Sequence, residues 1–141
     1  MIIAIDFDGT CTSHEFPQVG RDIGAAPILK KLVENGHQLI LYTMRCNHEK
    51  EPISTDPDIL PIGGRYLDDA IDWFKNNNIP LYAIQENPDQ KNWTASPKCY
   101  AHLYIDDAAL GCPLKWDTSV SERPFVDWKR VETILKANNL I

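Results

Sequence analysis

A short apolar run near the amino terminus is the feature that most constrains the fold. Residues 2–5 are Ile-Ile-Ala-Ile, and the run stops abruptly at the polar segment Asp6-Phe7-Asp8-Gly9-Thr10. A continuous, largely β-branched run of this length suits a strand that is buried on both faces of a parallel sheet. The sequence therefore predicts an internal parallel strand with an acidic segment at its carboxyl end.

Length and composition limit the class of protein. The chain has 141 residues, the size of one domain, and 43% apolar with 24% charged residues is close to the globular average. This composition excludes a disordered chain, a coiled coil and a collagen-like rod. The 14 basic against 20 acidic residues give a net charge of −6, which argues against nucleic acid or a membrane surface as a partner. A small charged ligand at a local site is compatible with this charge.

The apolar run is far too short for a signal peptide or a membrane span, so we expect a cytoplasmic protein. The four cysteines lie far apart and form no Cys-x-x-Cys motif, which fits neither a zinc ribbon nor a dense disulfide scaffold. We therefore expect reduced thiols at Cys11, Cys46, Cys99 and Cys112.

Helical and strand patterns alternate along the rest of the chain. Apolar periodicity predicts helices over 25–35 and 66–74 and one entered at Pro124, and it predicts strands over 38–43, 80–84 and 100–105. This alternation predicts a three-layer αβα, Rossmann-like and mostly parallel sheet in a single domain over residues 1–141. Polar stretches at about 45–64 and 85–98 are expected to be loop excursions, and a loop as long as the first is usually functional or disordered.

Polar residues follow each predicted strand. In chain order they are Asp6 and Asp8, Thr43 and Arg45, Gln85 and Glu86, and Asp106 and Asp107. Ligands of open α/β sheets bind outside the carboxyl ends of the strands, so these side chains should converge on one crevice. Clustered carboxylates repel each other, so we expect protonation or a bound cation. Oxygen ligands without a paired Cys/His spacing favour Mg²⁺ over zinc.

Three of these segments resemble signatures of a known family. Asp6-Phe7-Asp8-Gly9-Thr10 resembles the first signature of the haloacid dehalogenase superfamily of phosphohydrolases. Thr43 resembles the second signature and Asp106-Asp107 the fourth, in the family's order and over nearly the whole chain. The resemblance implies a Mg²⁺-dependent phosphomonoester hydrolase, a phosphatase, that acts through an aspartyl-phosphate intermediate.

Residue types suggest roles within this chemistry. Asp6 is the expected carboxylate nucleophile, and Asp8 is expected to give and take the proton. Thr43 would donate its hydroxyl to a phosphoryl oxygen, while Gly9 and Thr10 form the turn beneath the phosphate and are expected to bind the substrate.

The expected metal ligands come from two strand ends. Asp6, Asp106 and the backbone carbonyl of Asp8 would hold Mg²⁺. Asp107 would contact these ligands rather than the ion itself.

The family's third signature is a lysine, and two candidates exist. Lys98 precedes Asp106 by a strand's length, and at about 3.3 Å per residue this places it near the opposite edge of the sheet. Lys91, in the loop after the third strand, reaches the crevice more easily and is preferred, with Lys98 as the alternative. Arg45 is a further cation, whose fork is expected to bind two phosphate oxygens.

Neither family insertion point is long enough for a folded cap, which predicts a capless or minimally capped member with the 45–64 loop as a partial flap. The expected partner is a phosphorylated substrate of unknown identity, and a homo-oligomer is left open. His14 and His48 lie on loops beside the crevice. Two alternatives compete with the hydrolase: a receiver-like phospho-aspartate signalling module and an inactive phosphate-binding protein.

Overall fold

Four parallel strands form the centre of the protein. The computed structural model describes residues 1–48 and 63–141. In chain order its elements are β1 (Ile2–Ile5), α1 (Ala25–Glu34), β2 (Gln38–Leu41), β3 (Asn47–His48), β4 (Gly64–Arg65), α2 (Tyr66–Asn76), β5 (Ala83–Ile84), a 3-10 helix (Pro88–Asn92), β6 (Leu103–Ile105), β7 (Leu114–Lys115), β8 (Phe125–Val126) and α3 (Trp128–Ala137). The central sheet has the strand order β5-β2-β1-β6, and all its pairings are parallel. The predicted class, a single-domain Rossmann-like α/β fold with helices flanking a parallel sheet, is confirmed.

Strand β1 lies inside the sheet, as its apolar run predicts. Ile3 and Ile5 are fully buried and belong to one apolar cluster with side chains from α1, α2 and α3. Ala4, on the opposite face of the strand, is also buried. Because β2 and β6 flank β1, the end of β1 at Ile5 lies at the middle of the sheet's carboxyl edge.

Two predicted strands are shorter in the structure. The 80–84 run forms ladder pairs only at Ala83–Ile84, and the 100–105 run only at Leu103–Ile105. Pro80 has no N–H to contribute to a ladder. The backbone N–H of Tyr100 donates instead to the side chain of Gln90, at 2.7 Å.

The predicted start of the last helix is wrong. Pro124 is followed by β8, which pairs antiparallel with β7, and α3 begins only after Asp127, whose carboxylate accepts from the Arg130 N–H. The N–H of Val126 donates to the Gly9 carbonyl at 2.8 Å, so β8 contacts the acidic segment after β1. A two-residue strand carries no periodicity, which is why the pattern did not show it.

The second predicted excursion, 85–98, lies wholly within the described residues, whereas the first does so only at its ends. Most of the 45–64 stretch, including the suggested flap, lies outside the described residues, and at its ends β3 pairs antiparallel with β4. The 85–98 stretch contains the 3-10 helix, and the Asn87 side chain accepts from the Asp89 N–H at 3.1 Å and donates to the Tyr100 carbonyl at 2.9 Å.

All four cysteines fall in the described ranges and are free thiols. Within those ranges, the helices lack the combination of length and apolar character that crossing a bilayer requires.

Candidate active site

Three carboxylates meet at the carboxyl edge of the sheet. Asp6 follows β1, while Asp106 and Asp107 follow β6, and one oxygen from each lies within 4.8 Å of the others. The N–H of Asp6 donates to the Ile105 carbonyl at 3.0 Å, which extends the pairing of the two strands to the site. Parallel neighbours end at the same edge, so the fold itself brings these acids together. We call Asp6, Asp106 and Asp107 the acid cluster.

The turn after β1 holds Asp6 in place. The buried Thr10 hydroxyl donates to Asp6 Oδ2 and accepts from the Asp107 N–H, both at 3.0 Å. The indole N–H of Trp128 donates to the Thr10 carbonyl at 2.7 Å. Thr10 was expected to bind substrate, but its hydroxyl already donates one hydrogen bond and accepts another within the protein. It therefore acts as a positioning residue that links the two strand ends.

Position 9 requires a glycine because the His14 ring packs directly over the turn. Gly9 has a φ of +81°, and a Cβ there would lie 2.0 Å from His14 Nε2 and 2.8 Å from Asp107 Oδ2. The His14 ring itself contacts the acid cluster, with Nε2 2.9 Å from Asp107 Oδ2. The sequence placed His14 only on a loop near the crevice, since nothing in its spacing indicates a contact with a residue 93 positions away.

Arg45 holds Asp8 rather than facing an open crevice. Its Nε and Nη2 donate to the two carboxylate oxygens of Asp8, each at 2.7 Å, and further donors reach the carbonyls of Pro17 and Gln18. The Arg45 side chain is 1% exposed, and its guanidinium stacks over Phe7 at 5.0 Å. The expectation that Arg45 binds phosphate directly is therefore corrected: its fork already has a carboxylate partner, which it orients.

Thr43 retains a hydroxyl proton for a ligand. Its Oγ1 accepts from the Arg45 N–H at 3.2 Å, and within residues 1–48 and 63–141 its hydroxyl hydrogen donates to no other group, so this hydrogen can serve a ligand. Gln85 fixes the backbone of Thr43 from the next strand end, because its side chain accepts from the Thr43 N–H at 3.0 Å and donates to the Thr43 carbonyl at 2.6 Å. Gln85 adopts a left-handed φ of 63° in doing so. This positioning role depends on tertiary contacts that its place after a strand does not reveal.

The two candidate lysines contact other groups. Lys91 pairs with Glu86 at 3.0 Å on the surface, and the Lys98 ammonium lies 5.7 Å from the centre of the Tyr104 ring. Among the described residues, neither forms an ion pair with the acid cluster. The assignment of a phosphate-binding lysine stays a prediction.

Electrostatics at the cluster favour a cation. Burial, with repulsion from Asp106 and Asp107 added to it, raises the pKa of Asp6 to about 7, while hydrogen bonds from the Phe7 backbone and the Thr10 hydroxyl oppose the rise. A positive ion among the three carboxylates would relieve both effects.

The donor set fits Mg²⁺. All three side chains of the cluster offer hard oxygen atoms, and the Asp8 carbonyl accepts no hydrogen bond from the described residues. Mg²⁺ prefers a site that has few carboxylates and leaves room for the waters that the ion retains. Asp6, Asp106 and Asp107, together with the Asp8 carbonyl, are the groups that would hold the ion.

In metal-free protein, we expect stability to fall as the pH rises from about 4 to above 7. With the Asp6 pKa raised from 3.8 to about 7, the folded state keeps a proton that the unfolded chain loses in this window. The stabilisation is fully present below the pKa of Asp6 in the unfolded chain, and it is lost as the pH rises through the pKa of Asp6 in the folded protein. It amounts to at most about 4 kcal/mol, at 1.36 kcal/mol per pH unit. Urea unfolding in EDTA at about pH 5 and about pH 8 measures it, and Asp6→Asn should flatten the dependence. Equal pH dependence in wild type and variant would contradict this assignment.

Comparison with known proteins adds one structural relative. No protein-family model matches the chain, and no curated protein does. A solved structure of a conserved protein from Bacteroides thetaiotaomicron is similar, with a TM-score of 0.69 and 29% sequence identity over 98% of this chain and 91% of that chain. The likeness spans nearly the full length of both chains and supports the single-domain α/β fold. The neighbour is described as a conserved protein without a stated activity, so it does not bear on the chemistry.

Proposed function

We propose that this chain is a Mg²⁺-dependent phosphomonoester hydrolase of the haloacid dehalogenase type. The observation that carries the proposal is the meeting of Asp6, Asp106 and Asp107 within 4.8 Å at the ends of two neighbouring parallel strands. Asp8, two residues after Asp6, supplies a fourth carboxylate that Arg45 holds in a fixed orientation.

Asp6 is the nucleophile in this proposal. One of its oxygens forms a bond to phosphorus while the bond from phosphorus to the alcohol oxygen breaks, which gives an aspartyl-phosphate and the free alcohol. Water then attacks phosphorus, inorganic phosphate leaves, and the Asp6 carboxylate is restored. The Thr10 hydroxyl, bonded to Asp6 Oδ2, directs the other oxygen of the carboxylate toward the substrate.

Asp8 moves the proton. Asp8 in its protonated form gives a proton to the leaving alcohol oxygen as the aspartyl-phosphate forms. Among the described residues, each oxygen of the resulting carboxylate accepts one hydrogen bond from Arg45 and keeps a second lone pair. The carboxylate then takes a proton from the water that attacks phosphorus, which restores the protonated form for the next turnover. Thr43 donates its hydroxyl to a phosphoryl oxygen, and Gln85 keeps it in place.

When bound, Mg²⁺ supplies positive charge that offsets the phosphoryl oxygens and favours the ionised form of the acid cluster. The four free thiols suit a reducing compartment, which supports the cytoplasm as the proposed location.

A screen of phosphate release tests the proposal. Purified protein is incubated with a panel of sugar phosphates, nucleotides and phosphopeptides in Mg²⁺ or in EDTA. We expect release from at least one substrate class in Mg²⁺, and we expect EDTA to abolish it. Release that is equally fast in EDTA would contradict the proposal. Phosphate binding without any release would favour the inactive alternative, and a stable phospho-aspartate without turnover would favour the receiver-like one.

A further inference from the structure

A polar cavity adjoins the acid cluster. Its volume is about 370 Å³, and its lining includes His14, whose Nε2 lies 2.9 Å from Asp107 Oδ2. The His14 ring is thus a wall that the cavity shares with the proposed reaction centre. Arg21 and Arg123 contribute two guanidinium groups to the same lining.

Both guanidinium groups have donors that bond to no other group among the residues that the structure describes. Arg21 Nη1 donates to the Ser119 carbonyl at 3.0 Å, and neither arginine pairs with a carboxylate in the part of the chain that the structure describes. The protein has 20 acidic and 14 basic residues, so unpaired arginines are not the result of a shortage of acids. Both side chains are exposed, and two such groups on one cavity offer the donors that an oxyanion would use, since the planar fork of arginine matches carboxylate and phosphate oxygens.

The backbone at each arginine is held by the hydroxyl of a buried serine. The buried Ser13 hydroxyl oxygen accepts from the Arg21 N–H at 2.8 Å, and Ser13 follows directly on the turn that holds Asp6. On the other side, the buried Ser121 hydroxyl oxygen accepts from the Arg123 N–H at 3.2 Å. The two arginines therefore extend from anchored backbone on two separate segments of the chain.

Apart from Val120, the rest of the lining is polar and includes acceptors. Thr118 and Ser121 supply hydroxyl groups, while Glu15 and Glu122 supply carboxylates. These carboxylates suit hydroxyl groups on a ligand, and they disfavour a molecule that is anionic along its whole length. A small polyhydroxylated acid suits both the two arginines and the two glutamates of this lining. A cavity of about 370 Å³ holds a molecule of that size.

We propose that the cavity binds the leaving group of the substrate, and that this leaving group is a small polyhydroxylated alcohol with a second oxyanion, a carboxylate or a phosphate. The inference rests on the proposed hydrolase function and specifies its substrate class. Arg21 and Arg123 bind the second oxyanion, and the hydroxyl groups face Glu15 and Glu122. Binding there places the scissile phosphate beyond His14, at the acid cluster.

Matched substrates test this assignment. Values of kcat/KM are measured for a sugar phosphate, for the corresponding sugar-acid phosphate and for the sugar bisphosphate, and the last two identify which oxyanion is recognised. The enzymes are wild type, Arg21→Gln, Arg123→Gln and, as control, Arg130→Gln, which removes an exposed arginine from α3. Wild type should prefer an anionic leaving group. Each cavity variant should lower the anionic-to-neutral ratio of kcat/KM about tenfold or more, because a charge-assisted hydrogen bond is lost, and Arg130→Gln should keep the wild-type ratio.

Two results would overturn the inference while leaving the hydrolase intact: wild type turning over neutral and anionic substrates equally well, or cavity variants slowing both in proportion. Absence of phosphate release from every substrate in Mg²⁺ would instead remove the proposed function, and the inference with it. The two failures are therefore distinguishable in one data set.

Discussion

Asp6→Asn should lower phosphate release by about ten-thousand-fold or more, as the loss of a nucleophile does in enzymes that form covalent intermediates. The asparagine amide is uncharged and does not form the acyl phosphate. It also removes one of the three carboxylates that meet within 4.8 Å, so metal affinity should fall as well. Steady-state phosphate release with the best substrate from the screen measures the effect.

Asp69→Asn is the matched control for this variant. It makes the same change of charge and shape at an exposed position of α2, and Asp69 is not part of the acid cluster. Its turnover should equal that of wild type. Because Asp6 has a pKa raised by burial, Asp6→Asn should also fold at least as stably as wild type at neutral pH in EDTA. Wild-type turnover in a correctly folded Asp6→Asn protein would refute the nucleophile assignment.

Arg45→Met should cost about 3 kcal/mol or more of folding stability, because removing one partner of a buried ion pair leaves the other charge uncompensated. The Asp8 carboxylate would lose both of its 2.7 Å hydrogen bonds, and the carbonyls of Pro17 and Gln18 would lose a donor. Urea unfolding monitored by circular dichroism measures this loss.

Arg65→Met provides the comparison for Arg45→Met. Arg65 also pairs with an aspartate, Asp68, but its side chain is 73% exposed, and exposed pairs contribute about 1 kcal/mol or less. The double variant Asp8→Asn/Arg45→Met completes a cycle, in which the second substitution should cost much less than it does alone. Equal losses for Arg45→Met and Arg65→Met would show that Arg45 does not have the structural role described.

The sequence was most informative where one strand determines its neighbours. The apolar run at residues 2–5 predicts a strand buried on both faces, and the structure places β1 inside the parallel sheet. Once strands are parallel, the residues that follow them share an edge, which is why Asp6 and Asp106 could be expected to meet.

Sequence reasoning was least informative about partners that only the folded chain brings together. Arg45 follows the second strand in a position that suits either a phosphate or Asp8, and only the packing of Pro17 and Gln18 around the guanidinium decides between them. His14 and Trp128 reach the site from a loop and from the start of α3, and no local periodicity encodes such contacts.

Chemical trapping of the intermediate tests the central claim most directly. Protein quenched during turnover is treated with borohydride, which reduces an aspartyl-phosphate to homoserine, and the peptide containing residues 2–10 is analysed by mass spectrometry. The proposed mechanism predicts homoserine at position 6 in samples with Mg²⁺ and substrate, and aspartate there when substrate is omitted. Rapid phosphate release with unmodified aspartate at position 6, or with homoserine at Asp8, Asp106 or Asp107 instead, would contradict it.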